Sequence, residues 1–183
     1  MTSKLAEIKA LFAIGDYRRL WSIGGLTGVC RWLEFIALGI FAWELTRSPS
    51  LVALLAVLRM MPYVVLGFFT GAIADAIDRR RGQMTTLAIM ALTSVAMALL
   101  TITGNAGYTA IAGATMISGA FWTTDMPLRR RLLVDAAEGK VAAALGFDNA
   151  TVYAARAIGP LTGGFAYQVL GISGIYAIIA LSY

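Results

Sequence analysis

The side chains best suited to chemistry in this sequence sit where charge is hardest to keep. Arg31 and Glu34 fall within the apolar stretch 20–43, Arg59 within 51–74 and Arg156 within 141–169. A charge at the centre of a bilayer costs about 2.5–3.5 kcal/mol on insertion scales, and persists where it faces a polar cavity or a partner. Arg31 and Glu34 are three residues apart and therefore share a helix face. At about 1.5 Å per residue from the basic ends of these stretches, Arg31 and Arg156 lie about 16 Å deep, and Glu34 and Arg59 about 21 Å. Such depths let Glu34 meet more than one arginine if the first, second and fifth stretches are neighbours. A static ion-pair network between helices accounts for any one of these residues. Together, however, three deep arginines against one deep carboxylate leave a surplus of positive charge, which in a cavity favours an anionic or zwitterionic substrate.

Polar stripes on three stretches support a cavity. Gly24, Gly28, Arg31 and Glu34 form one stripe; Thr115, Ser118, Trp122 and Asp125 a second; Asn149, Tyr153, Arg156 and Pro160 a third. Arg31, Glu34, Arg59, Trp122, Asn149, Tyr153 and Arg156 are accordingly the candidate substrate-contacting residues. Glu34 is the first candidate to carry a coupled proton, because burial and neighbouring arginines act on its charge in opposite senses. Asp125 is a second candidate, although a solvated helix end explains it equally well, and Asp148 is a third. The stretch 87–100 has only Thr93 and Ser94 as polar residues and reads as lipid-facing.

These residues need long helices to hold them. Of 183 residues, 59% are hydrophobic and 14% charged, with a mean hydropathy of +0.76. Soluble domains carry about 25% charged residues, so too few polar side chains exist here to cover a water-facing surface. The chain reads as an all-α polytopic membrane protein with the lipid bilayer as its first partner. The net charge of +5 comes from short clusters between apolar stretches, a matter of topology that does not point to nucleic acid. With one cysteine and no histidine, no metal cluster, cofactor or neutral-pH catalytic pair is expected, and an enzyme is the least favoured class.

A bilayer-crossing helix takes about 20 apolar residues. Five stretches qualify: 20–43, 51–74, 84–103, 108–126 and 141–169. A sixth, 172–183, would rise only about 18 Å, so it is expected to be an incomplete span or the chain a piece of something longer. Residues 1–19 read as a lead-in and 20–183 as the transmembrane body. TRSPS (46–50), GNAG (104–107) and GISG (171–174) read as turns. Eleven lysines and arginines fall on one side of these spans and Arg47 alone on the other, which places the N-terminus in the cytoplasm.

Two stretches carry a resemblance. GAIADAIDRRR (71–81) resembles the loop signature between the second and third helices of the major facilitator superfamily, with Gly71, Asp75, Arg79 and Arg80 fitting and Ala76 and Asp78 departing. GFDNATVYAARAIGPLTGG (146–164) resembles that superfamily's fifth-helix antiporter signature through Gly146, Gly159, Pro160, Gly163 and Gly164, with Ala155 in place of one glycine. Pro160, without a backbone donor, is expected to kink its helix. LTRSPS, Pro62 and the PLRRRLLVD loop look like the exporter branch containing macrolide-efflux and enterobactin-exporter-like proteins.

The resemblance implies an N-terminal six-helix half built from 3+3 inverted repeats, in a bacterial inner membrane. A second six-helix half, in the same or a separate chain, would complete it. It implies that Asp75 latches a cytoplasmic gate, supported by Arg79 and Arg80, and that the glycine–proline motif lies at the seam between halves. The expected function is alternating-access transport, with proton-coupled export of a small, possibly anionic molecule such as a drug or siderophore. A half-transporter working as a homo- or heterodimer, and a non-transporting scaffold or receptor, are the alternatives.

Overall fold

The computed structural model describes residues 2–68 and 78–183, with side chains from Glu7 onward. The calls on Gly71 and Asp75 lie outside the described residues. The described backbone forms six helices: α1 (Thr2–Ala13), α2 (Gly15–Thr46), α3 (Pro49–Gly67), α4 (Arg79–Ile102), α5 (Tyr108–Ala136) and α6 (Val141–Ser182).

The turns between them follow from local chemistry. Arg47 takes a left-handed conformation (φ 51°) and ends α2, its N–H donating to the Trp43 carbonyl. Ser48 then accepts from the Leu51 N–H at 3.4 Å, with Pro49 opening α3; a serine cap followed by proline is a strong helix start. At the end of α4, Asn105 N–H reaches the Leu100 carbonyl and Gly104 N–H the Thr101 carbonyl. That paired closure is a Schellman motif, and Gly104 supplies its positive φ of 71°. Asp78, which departs from the loop signature, caps α4 by accepting from the Arg81 N–H at 2.8 Å.

Four helices, α2, α3, α4 and α6, are long and apolar enough to cross a membrane. The fourth expected span, 108–126, is not among them. It belongs to α5, whose 29 residues include Asp125 and three successive arginines and run on through Pro127 to Ala136. Arg129, Arg130 and Arg131 therefore stand on a helix rather than in a loop. A proline is tolerated there because the neighbouring helices hold the segment in place.

The expected turn at 171–174 is present as a kink at Gly171 that joins two helices within the span labelled α6. Before it Tyr167 meets Glu44 of α2 and beyond it Tyr176 meets Glu34, so the chain turns back along α2. Gly171 alone in α6 leaves helical geometry (φ 64°, ψ −178°), a region open essentially to glycine. Helical dihedrals persist through Pro160, so the proline does not interrupt the helix that carries it. The segment past Gly171 packs Ile172, Ile175, Tyr176 and Ile179 against Ala37, Leu38 and Ala42 of α2 and Met97 and Ala98 of α4.

α2 packs most extensively on α6, α3 on α5, and α4 on both α5 and α6, whereas α2 and α3 touch only sparsely. At the end bearing the arginine clusters, Leu11, Tyr17, Leu133, Ala137 and Ala144 form a second core. Phe12 packs there edge-on to Tyr17, Trp21 and Phe147. The outer surface is apolar: Leu92, Leu99 and Ile102 of α4 and Leu161 and Phe165 of α6 are all exposed, as lipid contact requires.

Gly171→Ala is expected to destabilise the protein by about 1–3 kcal/mol, the usual cost of forcing such a backbone on an alanine. Gly113→Ala, whose added carbon meets nothing within 4 Å, is expected to be neutral or slightly stabilising. Thermal unfolding of the two variants in detergent tests the contrast.

Candidate functional site

A cleft of about 510 Å³ opens between α2, α3, α5 and α6. Six of the seven expected substrate-contacting residues, Arg31, Arg59, Trp122, Asn149, Tyr153 and Arg156, line it. Glu34 does not. Among the described lining residues are five arginines (31, 59, 129, 130 and 156) and one carboxylate, Asp125.

The arginines lie against an aromatic wall. Trp32 and Trp122 meet edge to face at 6.1 Å, and Trp32 and Phe35 at 5.9 Å. The Arg31 guanidinium lies 5.2 Å from the Trp122 ring centre, and that of Arg156 5.5 Å from Trp32. Arg59 lies between Phe35 at 5.0 Å and Trp122 at 5.4 Å. Ring faces attract cations and do so more strongly where water is excluded, so the wall holds positive charge without neutralising it.

Arg31 and Glu34, neighbours on α2, have separate partners. Arg31 Nη2 donates to Asp125 at 3.0 Å, and Gln83 Nε2 of α4 donates to the other Asp125 oxygen at 2.6 Å. Asp125 is buried, not the solvated helix end that its position suggested. Glu34 is buried one turn deeper. Ser118 Oγ donates to its carboxylate at 3.0 Å and the Tyr176 hydroxyl at 3.4 Å. The expected contact of Glu34 with several arginines is not formed: Arg59 attracts it electrostatically, but no ion pair joins it to an arginine among the described residues. Its α2 position turns it toward α5 and the far segment of α6, away from the cleft. Arg156 is exposed along the cleft edge on α6.

Arg59 is almost wholly buried, at 2% exposure. Its Nη2 donates to the Arg31 carbonyl at 3.4 Å, while Nε and Nη1 have no hydrogen-bond partner among the described residues. Its place is set by Gly119, where a β-carbon would overlap the Arg59 carbonyl oxygen. The α3 and α5 backbones can touch there only because residue 119 has no side chain.

Towards the basic end, Arg129 forms a buried ion pair with Asp148, and Arg130 Nε approaches the same carboxylate at 3.8 Å. Arg130 also donates to Asn149 at 2.7 Å. Gly24 makes room for Arg129, since a β-carbon there would overlap its guanidinium. Arg129 is hidden in the sequence within a run of three arginines that orientation alone would explain. Gln83 and Tyr176 gave no sequence signal, because each acts across helices.

The loop and helix motifs are distributed differently. Arg79 pairs with Asp135 at the end of α5 at 2.5 Å, and Arg80 is exposed. Gly159 and Gly163 pack on α2, against Trp32 and against Leu33 and Ile36. Gly164 faces open space, and Gly146 lines a separate groove beside α1. No group of three or more metal-ligating acids or cysteines occurs among the described residues.

Apolar crossing helices around a cleft of buried charges define a polytopic membrane protein. Residues 7–183 match the family described as transmembrane secretion effectors, within the major facilitator superfamily. The chain belongs to that family, and is thus a membrane transporter of the secretion-effector type. No curated protein and no solved structure matches it significantly.

Removing one partner of a buried ion pair leaves the other charge stranded, at a cost of about 3–5 kcal/mol. Asp148→Asn and Arg129→Gln are each expected to lower unfolding stability by about that much. The paired replacement Arg129→Met with Asp148→Leu is expected to cost far less than the two single losses added together. Unfolding of all three variants in one detergent checks the cycle.

Proposed function

We propose that the chain forms part of a proton-coupled secondary transporter that exports a small organic anion by alternating access. The observation that carries this reading is the cleft: five arginines, three of them on an aromatic wall, with one carboxylate among the described lining residues. Such a surface raises the local concentration of anions and disfavours cations. The family's description as secretion effectors supports export. The sequence's resemblance to the exporter branch with macrolide-efflux and enterobactin-exporter-like proteins makes a drug or a siderophore-like compound the candidate cargo class.

In this reading Arg31, Arg59 and Arg156 attract the anion, and Trp122, Asn149 and Tyr153 shape its surroundings. Asp125 faces the cleft and Glu34 is secluded behind it, so the two carboxylates offer a proton one wet and one dry station. The arginine clusters favour a cytoplasmic N-terminus, with a bacterial inner membrane as the proposed location. Tyr153 and Arg156 are exposed on the cleft's edge, which favours a second six-helix half closing over it, in the same polypeptide or in a partner chain. Asp75, Arg79 and Arg80 would latch the cytoplasmic face against that half. Of the glycine–proline motif, Gly159 and Gly163 hold α6 close against α2, which leaves Gly164 open to the seam.

Proteoliposome counterflow with a panel of organic monoanions tests the reading. Exchange is expected, and Arg31→Ala is expected to reduce it at least tenfold. Glu34→Gln and Asp125→Asn are expected to retain exchange, while at least one of them loses accumulation driven by a pH gradient. Absence of exchange for every anion would return the chain to a scaffold or receptor role. Full gradient-driven transport in both carboxylate variants would remove them from proton coupling.

A further inference from the structure

Arg59 borders a second space that the proposed function does not use. Between α2 and α3, on the side away from the arginine clusters, lies a cleft of about 400 Å³. It exists because these two helices touch so little, and because Gly39, Ala53 and Ala56 present small side chains to it. Leu38, Ile40, Val52 and Leu55 supply aliphatic walls. Arg59 is its only charged residue among those described, and Arg59 and Phe35 are the two side chains that it shares with the basic cleft.

The chemistry of this arrangement is specific. A buried guanidinium with two unpartnered donors lacks hydrogen bonds that burial makes expensive to omit. Nearby, Glu34 is occupied by Ser118 and Tyr176, so it does not supply them. A carboxylate would. The space beside the guanidinium on this side is aliphatic, so a fully polar anion would gain nothing from it, whereas an alkyl chain would bury its surface there. At about 400 Å³ the cleft lies at the small end of the range for single-ligand pockets, roughly 300–1,000 Å³. That suits one chain and not the two chains of a phospholipid.

We infer that the α2–α3 cleft binds a single-chain amphiphilic monoanion, its carboxylate on Arg59 and its alkyl chain along Gly39, Ala53 and Ala56. The assignment rests on the transporter reading and narrows its substrate class from small anions to amphiphilic ones. Phe35, which lies over the guanidinium at 5.0 Å, is the side chain that turns aside to admit the carboxylate. Arg59 then serves as a single anion anchor bordered by two clefts, the basic one on one side and the aliphatic one on the other.

Decanoate is the probe, with 1-decanol as the uncharged control, titrated against the protein in nanodiscs of phosphatidylcholine. Saturable decanoate binding at least tenfold tighter than that of decanol is expected. Arg59→Met is expected to abolish that preference for charge. Gly39→Leu provides an independent test should Arg59→Met not fold. Its added β-carbon meets nothing within 4 Å, so the leucine side chain starts from open space and takes up volume in the cleft, and decanoate binding is expected to weaken at least tenfold. Unchanged decanoate affinity in Gly39→Leu, or equal affinity for decanoate and decanol in the unmodified chain, would overturn the inference. Repeating the titration in discs containing phosphatidylglycerol separates a free amphiphile from a lipid headgroup. Unchanged decanoate affinity supports the free anion, and competitive loss assigns the site to lipid and overturns it. Decanoate binding with this pattern in a protein that shows no counterflow would keep the site and remove the transporter reading.

Discussion

The antiparallel register of α2 against α5 determines where every interior charge lies. Going inward from the basic end, Gly24 admits Arg129, Arg31 meets Asp125, and Glu34 meets Ser118. Residue numbers rise on one helix and fall on the other, so the three contacts form one seam. A slip of one turn, about 5.4 Å, would break all three together and strand two charges in an apolar interior. Buried polar contacts of this kind contribute little net attraction, yet they discriminate strongly between registers. The other helices are placed against this seam. α3 reaches α5 at Gly119 and α4 reaches it through Gln83, while the far segment of α6 reaches α2 through Tyr176.

α5 is consequently the helix least like a membrane span and the one to which the site owes most. It contributes Ser118, Trp122, Asp125 and Arg129, and its polar load is what disqualifies it as an apolar crossing helix. Lipid-facing positions tolerate only apolar side chains, so polar residues accumulate on the helix that neighbours shield. α4 shows the reverse distribution. It turns Leu92, Leu99 and Ile102 outward and keeps Gln83, Thr86 and Ser94 inside.

Much of this was legible in the sequence because bilayers impose simple rules. Apolar length, basic clusters and short Ser-Pro or Gly-Asn turns mark helices and their connections, and the match to the transporter family agrees with them. Arg31, Trp122, Asn149, Tyr153 and Arg156 were readable because helical spacing puts the like chemistry of each helix on one face, and Arg59 because it is a charge within an apolar stretch. Pairing was not readable. Arg31 and Glu34 share a face, yet their partners depend on the rotation of α2 relative to two other helices, which no local pattern encodes. Arg129 was concealed for another reason. Three adjacent arginines satisfy the orientation rule equally well, and only the missing side chain of Gly24 distinguishes the one that turns inward.

The division between Arg31 and Glu34 has a physical logic. An arginine remains charged in almost any surroundings, so it can border a cleft whose contents change. A carboxylate keeps its charge only while its donors are in place. Asp125, which borders the cleft, has two donors from two different helices, so the loss of one leaves the other. Glu34 has its donors behind the cleft, from Ser118 and Tyr176, where an entering anion cannot compete for them directly. A ligand in the cleft would therefore act on Asp125 through Arg31 by contact, and on Glu34 only through the field of Arg59. The two carboxylates thus differ in kind, one joined to the ligand by a shared arginine and the other by electrostatics across a buried cation. Arg59, borne by α3 and held against α5 at Gly119, is the one group that belongs to both relationships.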